Sequence, residues 1–172
     1  MGIGHSRGFK ILLKALLIKT NMDYNSKILI SHRGNIEGPK PNLENSPKYI
    51  EKAIKLGYDV EIDVWMEKNQ LYLGHDCPQY PIQIEWLDFT KSRLWIHCKN
   101  LETLVYFTRS WRDFNFFFHE NDLGVLTSLN YIWSTHIVDG GILVMPETFN
   151  TEPVPKTLGI CSDYIKKYKK LK

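Results

Sequence analysis

Three short segments of this chain carry histidine, arginine or paired carboxylates within or directly after apolar runs. They are Ser31-His32-Arg33-Gly34, Val60-Glu61-Ile62-Asp63-Val64 and Gly74-His75-Asp76. Carboxylate oxygens suit hard divalent cations, and arginine offers a bidentate cation to a phosphate group. The three segments together predict a site that holds a metal and acts on a phosphodiester.

The alternation around Glu61 and Asp63 indicates where these carboxylates point. Because successive residues of a strand face opposite sides, Val60, Ile62 and Val64 share one face and the two carboxylates share the other. Ionised carboxylates within a buried strand need a compensating cation or hydrogen bonds, which favours metal binding. A solvated strand edge is the alternative for each of them.

The same rule groups side chains on two further strands. His97 and Lys99 share a face, as do Ile30 and His32. A lone histidine is more often a hydrogen-bonded core residue, but Arg33 beside it and the glycine that follows favour contact with phosphate. In a parallel barrel, inward groups at the carboxyl ends of the strands form the mouth of the active site.

The order of the predicted elements indicates an α/β fold. Helices are predicted from Ser46 to Gly57, with Pro47 in the first turn, and after Leu101. Since a closed (β/α)8 barrel usually needs ~250 residues, the fold class is a trimmed or incomplete TIM-type barrel with few outer helices in the C-terminal half. The predicted strands are 27–31, 58–64, 94–98, 114–118, 125–127, 131–133, 142–145 and 159–161.

Composition bounds the class of protein. A chain of 172 residues fits one domain, and its 43% hydrophobic content argues against disorder. A net charge of +3 is too small for a nucleic-acid footprint, so no nucleic-acid partner is expected. The odd number of cysteines, with no CxxC spacing, favours free thiols and a cytoplasmic location, with Cys98 and Cys161 buried.

Residues 1–26 differ in character from the barrel domain predicted over 27–172. Their apolar run, 9–19, is too short for a transmembrane helix and is interrupted by Lys14. This N-terminal extension is a signal-peptide core, a cationic interfacial helix or a helical appendage packed on the domain. Together with the lysine-rich tail 166–172, it permits a peripheral contact with an anionic membrane.

Four motifs, in this order and spacing, resemble those of the glycerophosphodiester phosphodiesterase family. That family belongs to the wider group of barrels that includes phosphatidylinositol-specific phospholipase C. The resemblance covers residues 28–164 and closes at 159–164, which is similar to the family's final-strand signature. The motifs are His32-Arg33-Gly34, Leu43-Glu44-Asn45-Ser46, Glu61-Ile62-Asp63 and His75-Asp76.

The resemblance implies cleavage of a small-molecule or lipid-derived phosphodiester to an alcohol and a phosphomonoester or cyclic phosphate. His32 and His75 are then the general acid and base, one activating the nucleophile and the other protonating the leaving alkoxide. Arg33 and Lys99 bind the phosphate of the substrate.

The resemblance also implies a divalent metal ion. Glu61 and Asp63 are then ligands of Mg²⁺ or Ca²⁺, and Glu44 and Asn45 support the site from a neighbouring loop. One position departs from the family pattern, because the third strand carries His97 where the family has a glutamate. Either His97 binds the metal through nitrogen, which shifts the preference toward Mn²⁺ or Zn²⁺, or the carboxylate is lost and metal affinity falls.

That departure leaves a second function open, a catalytically weak module that binds phosphate or a phospholipid headgroup on the same barrel. His119, Trp133 and Glu147 lie near the ends of predicted strands and are candidates to line the pocket, although Trp133 equally fits the core. The loops 36–43 and 78–86 are expected to contact the alcohol groups of the substrate.

Overall fold

The computed structural model describes residues 27–153 and 156–171. The predicted N-terminal extension, 1–26, lies outside the described residues. Within the described ranges, no helix combines the length and the apolar character needed to cross a lipid bilayer.

Ten strands and three α-helices form the described part of the chain. The strands are β1 (Ile28–His32), β2 (Asp59–Glu67), β3 (Gln70–Leu73), β4 (Tyr80–Ile82), β5 (Leu94–Cys98), β6 (Phe116–Phe117), β7 (Gly124–Leu126), β8 (Ile132–Ser134), β9 (Ile142–Val144) and β10 (Gly159–Ser162). The helices are α1 (Pro47–Lys55), α2 (Ile84–Thr90) and α3 (Leu101–Ser110), and 3₁₀ helices cover Lys91–Arg93 and Ile165–Leu171. Each predicted strand overlaps an observed one.

The first helix begins and ends where the sequence predicts. Ser46 is the N-cap in extended conformation, and Pro47 occupies the first turn, where its missing N–H costs nothing. Gly57 follows the helix at φ +91°, in the left-handed region that favours glycine. Its N–H donates to the carbonyl of Ile54 at 2.9 Å, which satisfies one of the last carbonyls of the helix.

All ten strands of the described chain belong to one sheet. Seven of them, β6, β5, β2, β1, β10, β9 and β8, are neighbours in that order and run parallel, and β7 pairs antiparallel with β8. β3 pairs antiparallel with the C-terminal part of β2, residues 64–67, and β4 pairs antiparallel with β3. Ser128 links the two ends of the sheet, since its N–H donates to the Phe116 carbonyl at 2.8 Å and its hydroxyl accepts the Phe116 N–H at 2.9 Å.

Apolar cores lie on both faces of the curled sheet. Val60, Ile62 and Val64 pack on the outer face with residues of α1 and α3, so the alternation predicted for β2 is confirmed. The inner face carries a smaller cluster, in which Trp95 and Trp133 are stacked at 5.5 Å. Cys98 is buried in the outer cluster and Cys161 in the inner one, both as free thiols, as predicted.

Helices cover only part of the outer face. Between β6 and β10 the described residues contain no helix, and Leu126 and Ile132 are exposed. The prediction that residues 78–86 form a loop is wrong, because β4 and the start of α2 lie there. The fold is mixed α/β, with a curled half-barrel sheet and few helices.

Candidate functional site

A cleft of about 540 Å³ opens at the carboxyl ends of the parallel strands. Asp63 lies beneath this cleft with no exposed surface and contacts the lining side chains Arg33 and His97. The structure thus brings most of the predicted site residues around one cavity. Those that line it are His32, Arg33, Glu61, His75, His97, Lys99, His119 and Trp133.

Asp63 is the residue at which four other side chains meet. Its Oδ1 lies 3.1 Å from Nδ1 of His97 and 3.4 Å from Nζ of Lys99. Its Oδ2 accepts Nδ2 of Asn45 at 2.9 Å and pairs with Nε of Arg33 at 3.0 Å. Burial alone would raise the pKa of Asp63, but the hydrogen bond from His97 and the charge of Arg33 hold it well below its usual range. Asp63 is therefore ionised at neutral pH.

The pKa of Glu61 is shifted in the opposite direction to that of Asp63. Glu61 is buried, and its Oε2 has no hydrogen-bond partner among the described residues; Nε2 of His32 lies 3.8 Å from it. Burial and the charge of Asp63 raise the pKa of Glu61. One ligand atom each from Glu61, Asp63 and His97 lies within 4.8 Å of the others, so this buried group could hold a metal ion.

His32 is held by a carboxylate that the sequence analysis did not assign. Its Nδ1 lies 2.8 Å from Oδ1 of Asp163, which also accepts Nδ2 of Asn35 at 2.8 Å. Because an ionised carboxylate only accepts, Nδ1 donates, and Nε2 is left without a hydrogen bond among the described residues. Burial lowers the pKa of His32, but the bond to Asp163 and the charge of Glu61 outweigh it, so the net shift is upward.

Glu147 does not line this cleft, contrary to the prediction. Its carboxylate accepts the hydroxyl of Ser162 at 2.9 Å and the main-chain N–H of Asp163 at 2.8 Å. Glu147 therefore fixes the turn that presents Asp163 to His32. The signal that could have found Asp163 is its place directly after β10, since the parallel register that pairs Ser31 with Ser162 puts residue 163 level with His32.

The conformation of the turn after β1 positions the side chain of Arg33 in the cleft. Arg33 and Gly34 both have positive φ, +52° and +91°. A Cβ on Gly34 would lie 2.6 Å from Cδ1 of Tyr49, so glycine is required there for space as well as for conformation. Nη1 of Arg33 donates to Glu44 at 3.3 Å, and Glu44 also accepts Nδ2 of Asn35 at 2.7 Å. Glu44 and Asn45 thus occupy the supporting positions expected for them.

His75 reaches the cleft from the β3–β4 connection. The Gly74 N–H donates to the Asp63 carbonyl at 3.2 Å, which joins this connection to β2. Nδ1 of His75 lies 2.6 Å from Oδ1 of Asp76, and 40% of its side chain is exposed. Partial burial lowers the pKa of His75, the direction opposite to that of His32.

His97 is in contact through both ring nitrogens and with two neighbouring aromatic rings. Nδ1 contacts Asp63, and Nε2 lies 3.3 Å from the carbonyl oxygen of His119. Its ring stacks on the rings of Phe117, at 5.2 Å, and His119, at 4.6 Å.

Trp133 lies in the inner core at 5% exposure and also lines the cleft, so it fits both predicted roles.

Comparison with known proteins gives no further assignment. No protein-family model, no curated protein and no solved structure matches this chain significantly.

Proposed function

We propose that this chain is a metal-assisted phosphodiesterase of the glycerophosphodiester type, built on a trimmed (β/α)8 barrel. The observation that carries the proposal is the set of groups around one cleft. Two histidines, each hydrogen-bonded to a carboxylate, line it together with the cations Arg33 and Lys99. Glu61 supplies a buried carboxylate oxygen that accepts no hydrogen bond from the described part of the chain.

The donor set fits a divalent cation. A buried carboxylate without a partner is costly unless a cation compensates it, and Oε2 of Glu61 is such a group. Glu61 and Asp63 would hold Mg²⁺ or Ca²⁺, and His97 as a nitrogen ligand would favour Mn²⁺ or Zn²⁺. When bound, the cation neutralises negative charge on the phosphoryl oxygens.

The two histidines differ in a way that suggests their proton roles. His75, with its pKa lowered, is the neutral base whose ring takes a proton from the attacking water or substrate hydroxyl. His32, with its pKa raised, holds a proton at Nε2 and gives it to the leaving alkoxide. Arg33 and Lys99 attract the phosphoryl oxygens from the side of the cleft that also carries Asp63.

The test is phosphorus NMR of a panel of phosphodiesters, with and without a chelator. Wild-type protein is expected to release a phosphomonoester or cyclic phosphate, and the chelator is expected to stop the reaction. His32→Ala and His75→Ala should each abolish turnover while circular dichroism stays unchanged. His136→Ala is the matched control, because His136 is exposed and does not line the cleft. Full activity in either cleft variant would refute the proposal.

The contacts of His97 favour a second candidate, a phosphate-binding module with little turnover. Where a third carboxylate would bind metal, His97 instead contacts Asp63 and the His119 carbonyl. Calorimetric titration with Mg²⁺ and with inorganic phosphate, beside the hydrolysis assay, separates the two. Phosphate binding without product at any metal concentration would favour the module.

A further inference from the structure

The cleft has two walls of unlike chemistry. One wall, from the ends of β1, β2 and β5 and from the β3–β4 connection, carries His32, His75 and His97 with the cations and carboxylates described above. A second wall, from β6, β8, β9 and the segment after β9, is mostly apolar. We call this second surface the apolar wall; it consists of Phe117, Trp133, Val144, Met145 and Phe149.

The inner part of the apolar wall is packed and preformed. Phe117, Trp133 and Val144 are all at most 8% exposed and belong to the inner core. The ring centroids of Phe117 and Trp133 lie 4.9 Å apart. Close-packed side chains of this kind keep their positions when a ligand enters, so the inner part of the apolar wall is a fixed surface.

The outer part of the apolar wall faces solvent. Phe149 is 51% exposed, although it lines the cleft. Met145 has φ +50°, in the left-handed region that favours glycine, and it packs partly on the inner core. Its N–H donates to the Cys161 carbonyl at 2.8 Å, and its carbonyl accepts the Thr148 N–H at 3.0 Å. The chain therefore holds two large apolar side chains at the mouth of a cleft whose other wall is charged.

Hydrogen-bonding side chains are sparse on this side of the cleft. Among the described lining residues here, Thr135 and Thr148 carry hydroxyls and Glu120 a carboxylate. His119, stacked on His97 at the edge of this side, adds a ring whose buried Nδ1 has no hydrogen bond in the described part of the chain. The Thr135 hydroxyl already bonds to the Leu123 carbonyl at 3.3 Å. A glycerol or sugar group against the apolar wall would leave hydroxyls unpaired, whereas an alkyl or aryl group would bury apolar surface.

We infer that the substrate carries an uncharged apolar group of several carbons on one side of the phosphate, and that this group lies on the apolar wall. This inference rests on the proposed phosphodiesterase function and names its substrate class. The charged wall then receives the phosphate, while the apolar wall binds the substituent that stays attached to it.

The test compares p-nitrophenyl phosphodiesters that share a leaving group and differ in the second substituent: methyl, butyl, hexyl, 2,3-dihydroxypropyl and choline. Below their micelle concentrations, kcat/KM should rise about three- to fourfold per added methylene. The hexyl ester should exceed the dihydroxypropyl and choline esters. A flat series, or a preference for either polar ester while all are cleaved, overturns the inference and leaves the phosphodiesterase proposal standing.

Phe149→Ser tests the wall itself. It should lower the ratio of kcat/KM for the hexyl ester to that for the methyl ester by about tenfold, since a large part of an apolar contact is lost. Phe89→Ser is the control: Phe89 is 92% exposed on α2, away from the cleft, and this variant should keep the wild-type ratio. An unchanged ratio in Phe149→Ser contradicts the inference.

A binding measurement covers the case in which no ester is cleaved, which would refute the proposed function. Hexyl phosphate and methyl phosphate are then titrated while tryptophan fluorescence is followed, since Trp133 is part of the wall. Tighter binding of hexyl phosphate, weakened by Phe149→Ser, supports an apolar-group site in a protein without turnover. Equal binding of the two phosphates overturns the inference as well.

Discussion

Replacing Asp163 with asparagine removes the charge that holds the ring of His32. Oδ1 of Asp163 lies 2.8 Å from both Nδ1 of His32 and Nδ2 of Asn35. Asparagine keeps the shape of the side chain and one acceptor oxygen. The variant therefore isolates the contribution of charge to the contact.

The structure sets the size of the effect. A hydrogen bond to a charged group contributes ~1.5–3 kcal/mol and a neutral one ~0.5–1.5 kcal/mol, so the variant should lose about 1–2 kcal/mol of folding free energy. His32 and Asp163 have side-chain exposures of only 14% and 12%, so solvent screening takes away little of this. The lower proton affinity of the ring should also lower kcat by about 10²-fold.

The pKa shifts fix the pH range of the effect. The pKa of His32 is raised above 6.5, so its stabilising contribution is complete below pH 6.5 and disappears as pH rises through the folded pKa. Burial raises the pKa of Asp163, but the hydrogen bond and charge of His32, together with the hydrogen bond from Asn35 and the charge of Arg33, outweigh it. The pKa of Asp163 is therefore lowered, and its contribution is lost as pH falls through the folded pKa. The wild-type advantage should therefore be largest between pH 3.8 and 6.5.

Urea unfolding at about pH 5.5 and about pH 9 measures this difference. Asp139→Asn serves as the control, since Asp139 makes only an exposed ion pair with Lys156 and should change stability little. A loss of stability in Asp163→Asn that is equal at both pH values, or no larger than in the control, would refute the assignment of a charged contact to His32.

Three further predictions concern the same site. Gly34→Ala should destabilise the protein by about 1–3 kcal/mol in urea unfolding and lower activity, because backbone strain at positive φ adds to the clash with Tyr49. Gly57→Ala is the control, since Gly57 has the same φ of +91° and nothing lies within 4 Å of the added Cβ. This variant should lose only the stability that corresponds to backbone strain and should keep activity. Saturating Mg²⁺ or Ca²⁺, at about 100 times Kd, should raise the wild-type melting temperature by ~5–10 °C and leave that of Glu61→Gln unchanged; equal shifts would exclude Glu61 as a ligand. Plotted against pH, kcat/KM should fall on the acid side as His75 protonates, below pH 6.5, and on the alkaline side as His32 loses its proton, above pH 6.5; an optimum that persists in a variant lacking either histidine would contradict the assignment.

The sequence was most informative where the deciding signal is local. Strand alternation depends on neighbouring residues alone, so the inward direction of Glu61 and Asp63 and the outward direction of Val60 follow from the sequence. Cap and stop residues similarly predict α1. The pattern of short apolar runs after residue 114 also predicts, correctly, a C-terminal half with few helices.

The deciding contacts of the site are not local, and they were missed or only partly predicted. Asp163 meets His32 across 131 positions of sequence, through the parallel pairing of β1 with β10. Glu147 was predicted to line the pocket because it is a charged residue near the end of a strand. In the structure its carboxylate instead accepts hydrogen bonds from the turn after β10. β4 was not recognised because Pro81 interrupts a short run and because its pairing partner, β3, decides its conformation.

Because the helices cover the sheet unevenly, local stability is expected to differ between its two halves. β2 and β5, which carry Glu61, Asp63 and His97, are backed by α1, α3 and the larger core, whereas β7 and β8 present exposed side chains to solvent. Hydrogen exchange should accordingly be slowest in β2 and β5 and faster in β7 and β8. Under the proposed function, substitutions at the exposed Phe149 of the apolar wall would change which substituent binds without altering the larger core that backs β2 and β5.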